Sequence, residues 1–219
     1  MPERQRVLID LDPGPQVVAR REAAAEVREL VQLVAMAELD ETTLRSLAGA
    51  VRGLNAELGG AVPLSRYVHD DPAHRRGIDV ALPSQESEII FGPSNPIATP
   101  LEAYREQDGT ITGVATFPYT YEGPPGSVHG GMLAACFDAL LGMAAATSGH
   151  PSMTGTMTVI YRSPTPLNRP IRFEAWFDRN EGRKSFTRAR ALDGDTVCVE
   201  AEGIFIEVRQ DHFAKNAED

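Results

Sequence analysis

The chain has little from which to build a covalent or metal-held scaffold: two cysteines, Cys136 and Cys198, in 219 residues. Both lie in apolar periodic segments, where cysteine behaves as a small hydrophobe. A disulfide framework is excluded, and a reducing, cytoplasmic compartment is the expectation. Long apolar runs are also missing. The opening residues lead only into Val7-Leu8-Ile9 before Asp10, too short for a signal-peptide core. Nothing approaches the roughly 20 residues of a membrane span. Positive charge is in deficit, with 21 Lys and Arg against 31 Asp and Glu and a net charge of −10, which argues against a general nucleic-acid partner. HExxH and paired CxxC are absent, and His69, His74, His150 and His212 lack ligand spacing, so no metal is predicted. No GxGxxG or GxxxxGK[ST] is present, against dinucleotide or nucleotide chemistry. No GxSxG occurs and neither cysteine has an evident base beside it, so a nucleophilic triad is not predicted.

What the chain does contain is one anomalous helix. Residues 126–146 read as a helix apolar on almost every face, opened by His129-Gly130-Gly131 and carrying a single charge, Asp138. A helix hydrophobic all round is normally buried, and an aspartate is rarely buried without a partner or a task. The glycines let another group approach the helix N-terminus, whose free N–H groups favour negative charge. A carboxylate and a bare donor end together suit a reaction site.

Around that helix the pattern changes twice. Residues 15–39 carry an apolar stripe near the 3.6 period, including Val17, Ala24, Val27, Val31 and Val34. Thr42 or Thr43 is a plausible N-cap for a second helix with Leu44, Leu47, Val51, Leu54 and Leu58 on one face, ended by Gly59-Gly60. From Ala61 to Pro100 six prolines and the His69-Asp70-Asp71 and Arg75-Arg76 clusters read mostly as loop. A short strand is predicted at 111–117 and four more at 153–161, 171–179, 185–192 and 196–208, with turns at 178–183 and at Asp193-Gly194. In the last strand Val197, Val199, Ala201, Gly203 and Phe205 share one side. One strand, a long helix and four strands predict an α+β fold, an antiparallel sheet with a helix on one face. The expected division is a helical hairpin with an irregular linker over 1–85, the sheet-and-helix domain over 86–210 and a flexible tail over 211–219. Between Arg162 and Arg190 eight basic residues meet three acidic ones, which fits either solvated strand faces or a landing surface for an anionic, phosphorylated carrier.

That order of elements, with Val128-His129-Gly130-Gly131 and an acidic residue nine positions after the histidine, resembles the hotdog-fold acyl-CoA thioesterases, specifically the PaaI-like branch of the 4-hydroxybenzoyl-CoA thioesterase superfamily. Gly92-Pro-Ser-Asn-Pro96, Met153-Thr154, Tyr161-Arg-Ser-Pro-Thr-Pro166, Gly182-Arg-Lys-Ser185 and Ala201-Glu-Gly-Ile-Phe205 add to the likeness, which spans about residues 88 to 208. It implies a curled antiparallel sheet around the central helix and hydrolysis of a thioester to free acid and CoA. Asp138 would be the catalytic carboxylate, as general base or nucleophile. The amide of Gly130 or Gly131 would polarise the thioester carbonyl, His129 would support that donor site, and Thr154 would help position the attacking water. Arg183, Lys184 and Ser185 would suit the phosphates of CoA, with Arg162 a further contact, though each also fits an ordinary turn or strand face. Phe137, Leu141 and Met157 would wall the acyl pocket. No cofactor beyond the CoA of the substrate is implied.

Geometry adds a homodimer. Asp138 lies seven residues after Gly131, nearly on the same face but about 10 Å along the axis. A water held by the carboxylate and a donor on the carbonyl oxygen must both sit within roughly 3 Å of one reacting centre. One straight helix cannot do this, whereas two antiparallel copies across a two-fold axis can; pairing of such dimers into a tetramer is left open. Two other functions compete. A hydratase or dehydratase on the same fold would need a histidine beside the carboxylate, and Asp138 has none within its helix. A sensing module that binds acyl-CoA to control an attached DNA-binding unit would want a basic hairpin, yet residues 1–60 hold seven basic against ten acidic side chains. The hairpin is instead expected to pack on the domain or extend the dimer interface.

Overall fold

A computed structural model describes residues 5–6, 14–60 and 86–208. The linker expected over 61–85 and the tail expected over 211–219 lie outside these residues. Six strands form one antiparallel sheet, and a two-residue strand extends its edge. They are β1 (Gln5–Arg6), β2 (Glu102–Arg105), β3 (Ile111–Thr116), β4 (Ser152–Tyr161), β5 (Pro170–Glu181), β6 (Lys184–Asp193) and β7 (Thr196–Glu207), in the order β1-β2-β3-β5-β6-β7-β4. Helices α1 (Pro15–Met36) and α2 (Glu41–Leu58) precede the sheet, and α3 (Gly130–Ala146) is the apolar helix singled out above.

The sheet curls around α3, which touches β3, β4, β5, β6 and β7. The close approach follows from side-chain size. Ala175, Ala189 and Ala201 stand opposite one another across β5, β6 and β7, a row of methyls on the face that meets the helix. Gly203 continues it: a Cβ there would fall 2.7 Å from the Phe205 ring and 2.8 Å from the Thr187 hydroxyl. Into this trough α3 sets Leu133, Cys136, Phe137, Leu140, Leu141, Ala144 and Ala145, all buried. Phe137 meets the Phe173 ring edge-on at 5.7 Å between centroids, the favoured geometry for an aromatic pair.

The four strands after the helix fall where their β-branched and aromatic residues predict them, and the side of β7 bearing Val199, Ala201, Gly203 and Phe205 is the buried one. Three details differ. The strand β2 precedes β3 as a hairpin closed by Asp108-Gly109, with Gly109 at φ 86; its four residues are too few to show a period. The β5–β6 turn is only Gly182-Arg183, Gly182 taking φ 59, and not the whole of 178–183. Asp178, Arg179 and Glu181 are polar because the hairpin tip is solvated: Arg179 pairs with both acids and lies 4.1 Å over the Phe186 ring. Third, α2 is capped by Asp40, whose carboxylate accepts from the Thr43 N–H at 2.8 Å, rather than by Thr42 or Thr43.

The N-terminal helices attach unequally. On α1, Ala24 is buried, Arg21 pairs with the buried Glu86 and Arg28 donates to the Pro93 carbonyl. Glu86 also accepts from the Ser94 hydroxyl at 2.7 Å. Burial pushes the Glu86 carboxyl up, but the hydrogen bonds from Arg21 and Ser94 and the charge of Arg21 outweigh it and leave the group below its ordinary value. By contrast α2 buries no residue.

Candidate active site

The helix α3 begins at a crowded turn. The His129 N–H donates to the Tyr121 carbonyl at 2.8 Å. A Cβ on Gly123 would fall 2.7 Å from the His129 Cα, so the entering chain passes closer than any side chain permits. His129 is the N-cap, and its Nδ1 accepts from the Gly131 N–H at 3.0 Å. The His129 carbonyl receives the Met132 and Leu133 N–H groups. The Gly130 N–H is thereby left as the helix-start donor with no acceptor among the described residues. Of the two amides expected to polarise a carbonyl, Gly131 is engaged and Gly130 is open.

Two turns on, the Asp138 carboxylate is exposed within the single chain and accepts from the Thr154 hydroxyl at 2.7 Å through Oδ1. The expectation of a helix covered on all sides is therefore met on one side only. Gly131 and Asp138 are exposed, and Ala134, Ala135, Ala139 and Gly142 are only half-buried, a strip running the length of α3 beside β4. Among the described residues the same strand is the sheet edge and pairs with β7 alone, and most of its side chains are open to solvent.

The irregularity in β4 matters here. Its register against β7 shifts between Thr154 and Thr156, and such a bulge reverses the strict alternation of faces. Thr154 and Tyr161, an odd number of residues apart, both reach α3: Thr154 at Asp138, and Tyr161 by donating its hydroxyl to the Gly130 carbonyl at 2.8 Å. In the sequence Tyr161 ends a strand and opens the Tyr161-Arg-Ser-Pro-Thr-Pro166 run, and no spacing assigns it to the helix start.

The structure thus brings His129, Gly130, Gly131, Asp138 and Thr154 to one strip. The residues expected to hold substrate are dispersed. Arg162 is exposed and pairs with Glu200 at 2.7 Å; Arg183 is exposed and donates to the Glu207 carbonyl at 2.7 Å; Lys184 is exposed. Ser185 is buried, its hydroxyl turned to the Asn180 side chain at 2.8 Å. Phe137 is fully buried against Phe173, and Met157 packs half-buried on the core. Cys136 is no nucleophile, for burial pushes its thiol up to about 12. Among the described residues no three His, Cys, Asp or Glu groups gather as metal ligands, and no helix is long and apolar enough to cross a membrane.

A long helix held in a curled antiparallel sheet, with its charged strip left open, is the hotdog architecture of thioesterase proteins. Residues 125–202 match the model of the thioesterase superfamily. The acyl-coenzyme A thioesterase THEM4 of Xenopus laevis is 37% identical over 93 residues, 42% of this chain and 41% of that protein. THEM4 of Bos taurus is 34% identical over 93 residues, 42% of this chain and 38% of that protein. The chain thus spans about two fifths of the length of these curated relatives. A crystal structure of a thioesterase superfamily protein superposes with a TM-score of 0.78 at 27% identity, over 94% of this chain and 98% of that one. The likeness therefore extends beyond the superfamily domain to the N-terminal helices.

Proposed function

We propose that the protein hydrolyses an acyl-CoA thioester to the free acid and CoA. One observation carries the reading. A carboxylate with one oxygen held by a hydroxyl, Asp138 by Thr154, lies on the same open strip as an unengaged helix-start amide, Gly130. The 93-residue relationship to proteins named acyl-coenzyme A thioesterase supports the same chemistry. Asp138 takes a proton from a water, the oxygen of that water bonds to the acyl carbon, and the Gly130 N–H receives the negative charge that develops on the carbonyl oxygen. Collapse expels the CoA thiolate, which recovers a proton. A thioester is activated enough for this short inventory to suffice.

Gly130 and Asp138 are eight residues apart, about 12 Å along one helix, so the reaction centre is assembled from two copies of the chain. The open strip of α3 and the free edge of β4 are the surfaces that would meet across a two-fold axis, each carboxylate facing the other copy's Gly130. Arg162, Arg183 and Lys184 are the candidates for the CoA phosphates, and Met157 for an acyl wall. A hydratase ranks below this reading, because within one chain the Asp138 carboxylate is held by a threonine and not by a histidine.

The test is thiol release from short, long, branched and aromatic acyl-CoAs by the purified chain and by Asp138→Asn. Turnover is expected to fall at least about 100-fold in the variant, the low end for loss of a general base, with the fold retained. Wild-type turnover by the variant removes Asp138 from the role.

A further inference from the structure

The peptide between Gly130 and Gly131 is held at both ends. Its N–H, on Gly131, is taken by the His129 imidazole at 3.0 Å, and its carbonyl oxygen, on Gly130, accepts the Tyr161 hydroxyl at 2.8 Å. A peptide unit is rigid and planar, so two such bonds fix its orientation, and they add to the Met132 and Leu133 bonds on the His129 carbonyl, which hold the preceding peptide and its N–H. That N–H is the open donor. Tyr161 also packs closely on this glycine. A Cβ at Gly130 would fall 3.2 Å from Cε1, Cζ and the hydroxyl oxygen of the tyrosine, so the ring would have to give by a few tenths of an ångström to admit one. The ring is otherwise solvent-facing, 53% exposed, and it contributes little to the core.

From this geometry we infer that Tyr161 is a positioning residue of the active site: through the Gly130 carbonyl it aims the Gly130 N–H at the substrate carbonyl. The inference rests on the hydrolase reading above. Tyr161 touches no reacting atom. It acts on a donor whose benefit depends on being aligned before charge develops, and misalignment weakens a hydrogen bond steeply. The loss should therefore appear in the transition state and leave the ground state largely unaffected.

Steady-state hydrolysis by the full chain tests this with Tyr161→Phe, which removes one oxygen and keeps the ring, assayed beside Asp138→Asn on the same acyl-CoA. The expected result is a kcat lower by about tenfold, the scale of one neutral hydrogen bond, with KM within about twofold and the melting temperature unchanged. Gly130→Ala, which pushes the ring away, should reproduce the kcat loss. The double variant should be no worse than the poorer single one, because both break one contact. Wild-type kcat in Tyr161→Phe overturns the assignment, as do additive losses in the double variant or a lowered melting temperature with a matching rise in KM. Each of these is distinct from failure of the hydrolase reading, which would appear as an active Asp138→Asn and would remove this role with it.

Discussion

Helices α3 and α2 carry apolar residues in runs of similar length, yet one is the centre of the fold and the other buries nothing. On α2 the residues Leu44, Leu47, Val51, Leu54 and Leu58 recur at steps of three and four, a better-ordered stripe than any on α3. Leu54 and Leu58 are nonetheless 57% and 68% exposed. The helix α3 has no such order and is covered because the strands on its buried side offer alanines and a glycine where larger side chains would hold it off. Periodicity reports that a helix can form and which face is apolar. What covers that face is decided by side-chain size on elements distant in sequence, and the open strip of α3 bearing Asp138 is the exception that marks the site.

The contrast can be broken at its strong end first. Phe137→Ala empties the space against Phe173 and should cost about 3–5 kcal/mol in chemical denaturation, the usual range for a buried aromatic; a loss under about 1 kcal/mol would mean α3 is not the packing centre. An intermediate effect belongs to α1, whose attachment is polar. Arg21→Ala leaves the Glu86 carboxylate buried with only Ser94, a defect of roughly 1–3 kcal/mol, to be read as faster amide exchange along α1. The same bond has a pH signature. The Glu86 carboxyl is lowered in the folded chain from an ordinary 4.5, so its stabilisation is fully present above that value and fades as the pH falls through the folded one. Protection of α1 amides, taken relative to their intrinsic exchange rate at each pH, should fall below about pH 4.5 in the wild type, and Arg21→Ala should lose this dependence. At the weak end, Leu54→Lys on α2 should move the stability of the monomeric unit by no more than about 0.5 kcal/mol, as for other open positions. A large loss would show that another surface covers α2.

Much of this is legible in the sequence. The strands β4 to β7 follow from their β-branched and aromatic residues, with alternation clear in β7, α3 from its length and bounding glycines, and the strip of His129, Gly130, Gly131 and Asp138 from helical spacing. Other features are not, each for a physical reason. Four residues, Glu102–Arg105, are too short to show a period. The polar tip of the β5–β6 hairpin looks like a turn because it is solvated on every side. Thr154 and Tyr161 share a direction only because of a bulge that leaves no mark in the residue types. Which amide is free depended on the His129 side chain turning back to Gly131, a choice that spacing leaves open between two glycines.

The central claim is that Asp138 of one copy works with Gly130 of another, and mixing two inactive variants tests it directly. Asp138→Asn removes the carboxylate. Gly130→Pro removes the N–H at the first helical position, where proline is tolerated. If the site is shared, random pairing makes half the dimers mixed, each with one intact and one doubly damaged site, so an equal mixture refolded or co-expressed should recover about a quarter of wild-type hydrolysis. If both groups serve a site within one chain, every chain in the mixture is defective and activity stays at the level of the separate variants, which would contradict the account.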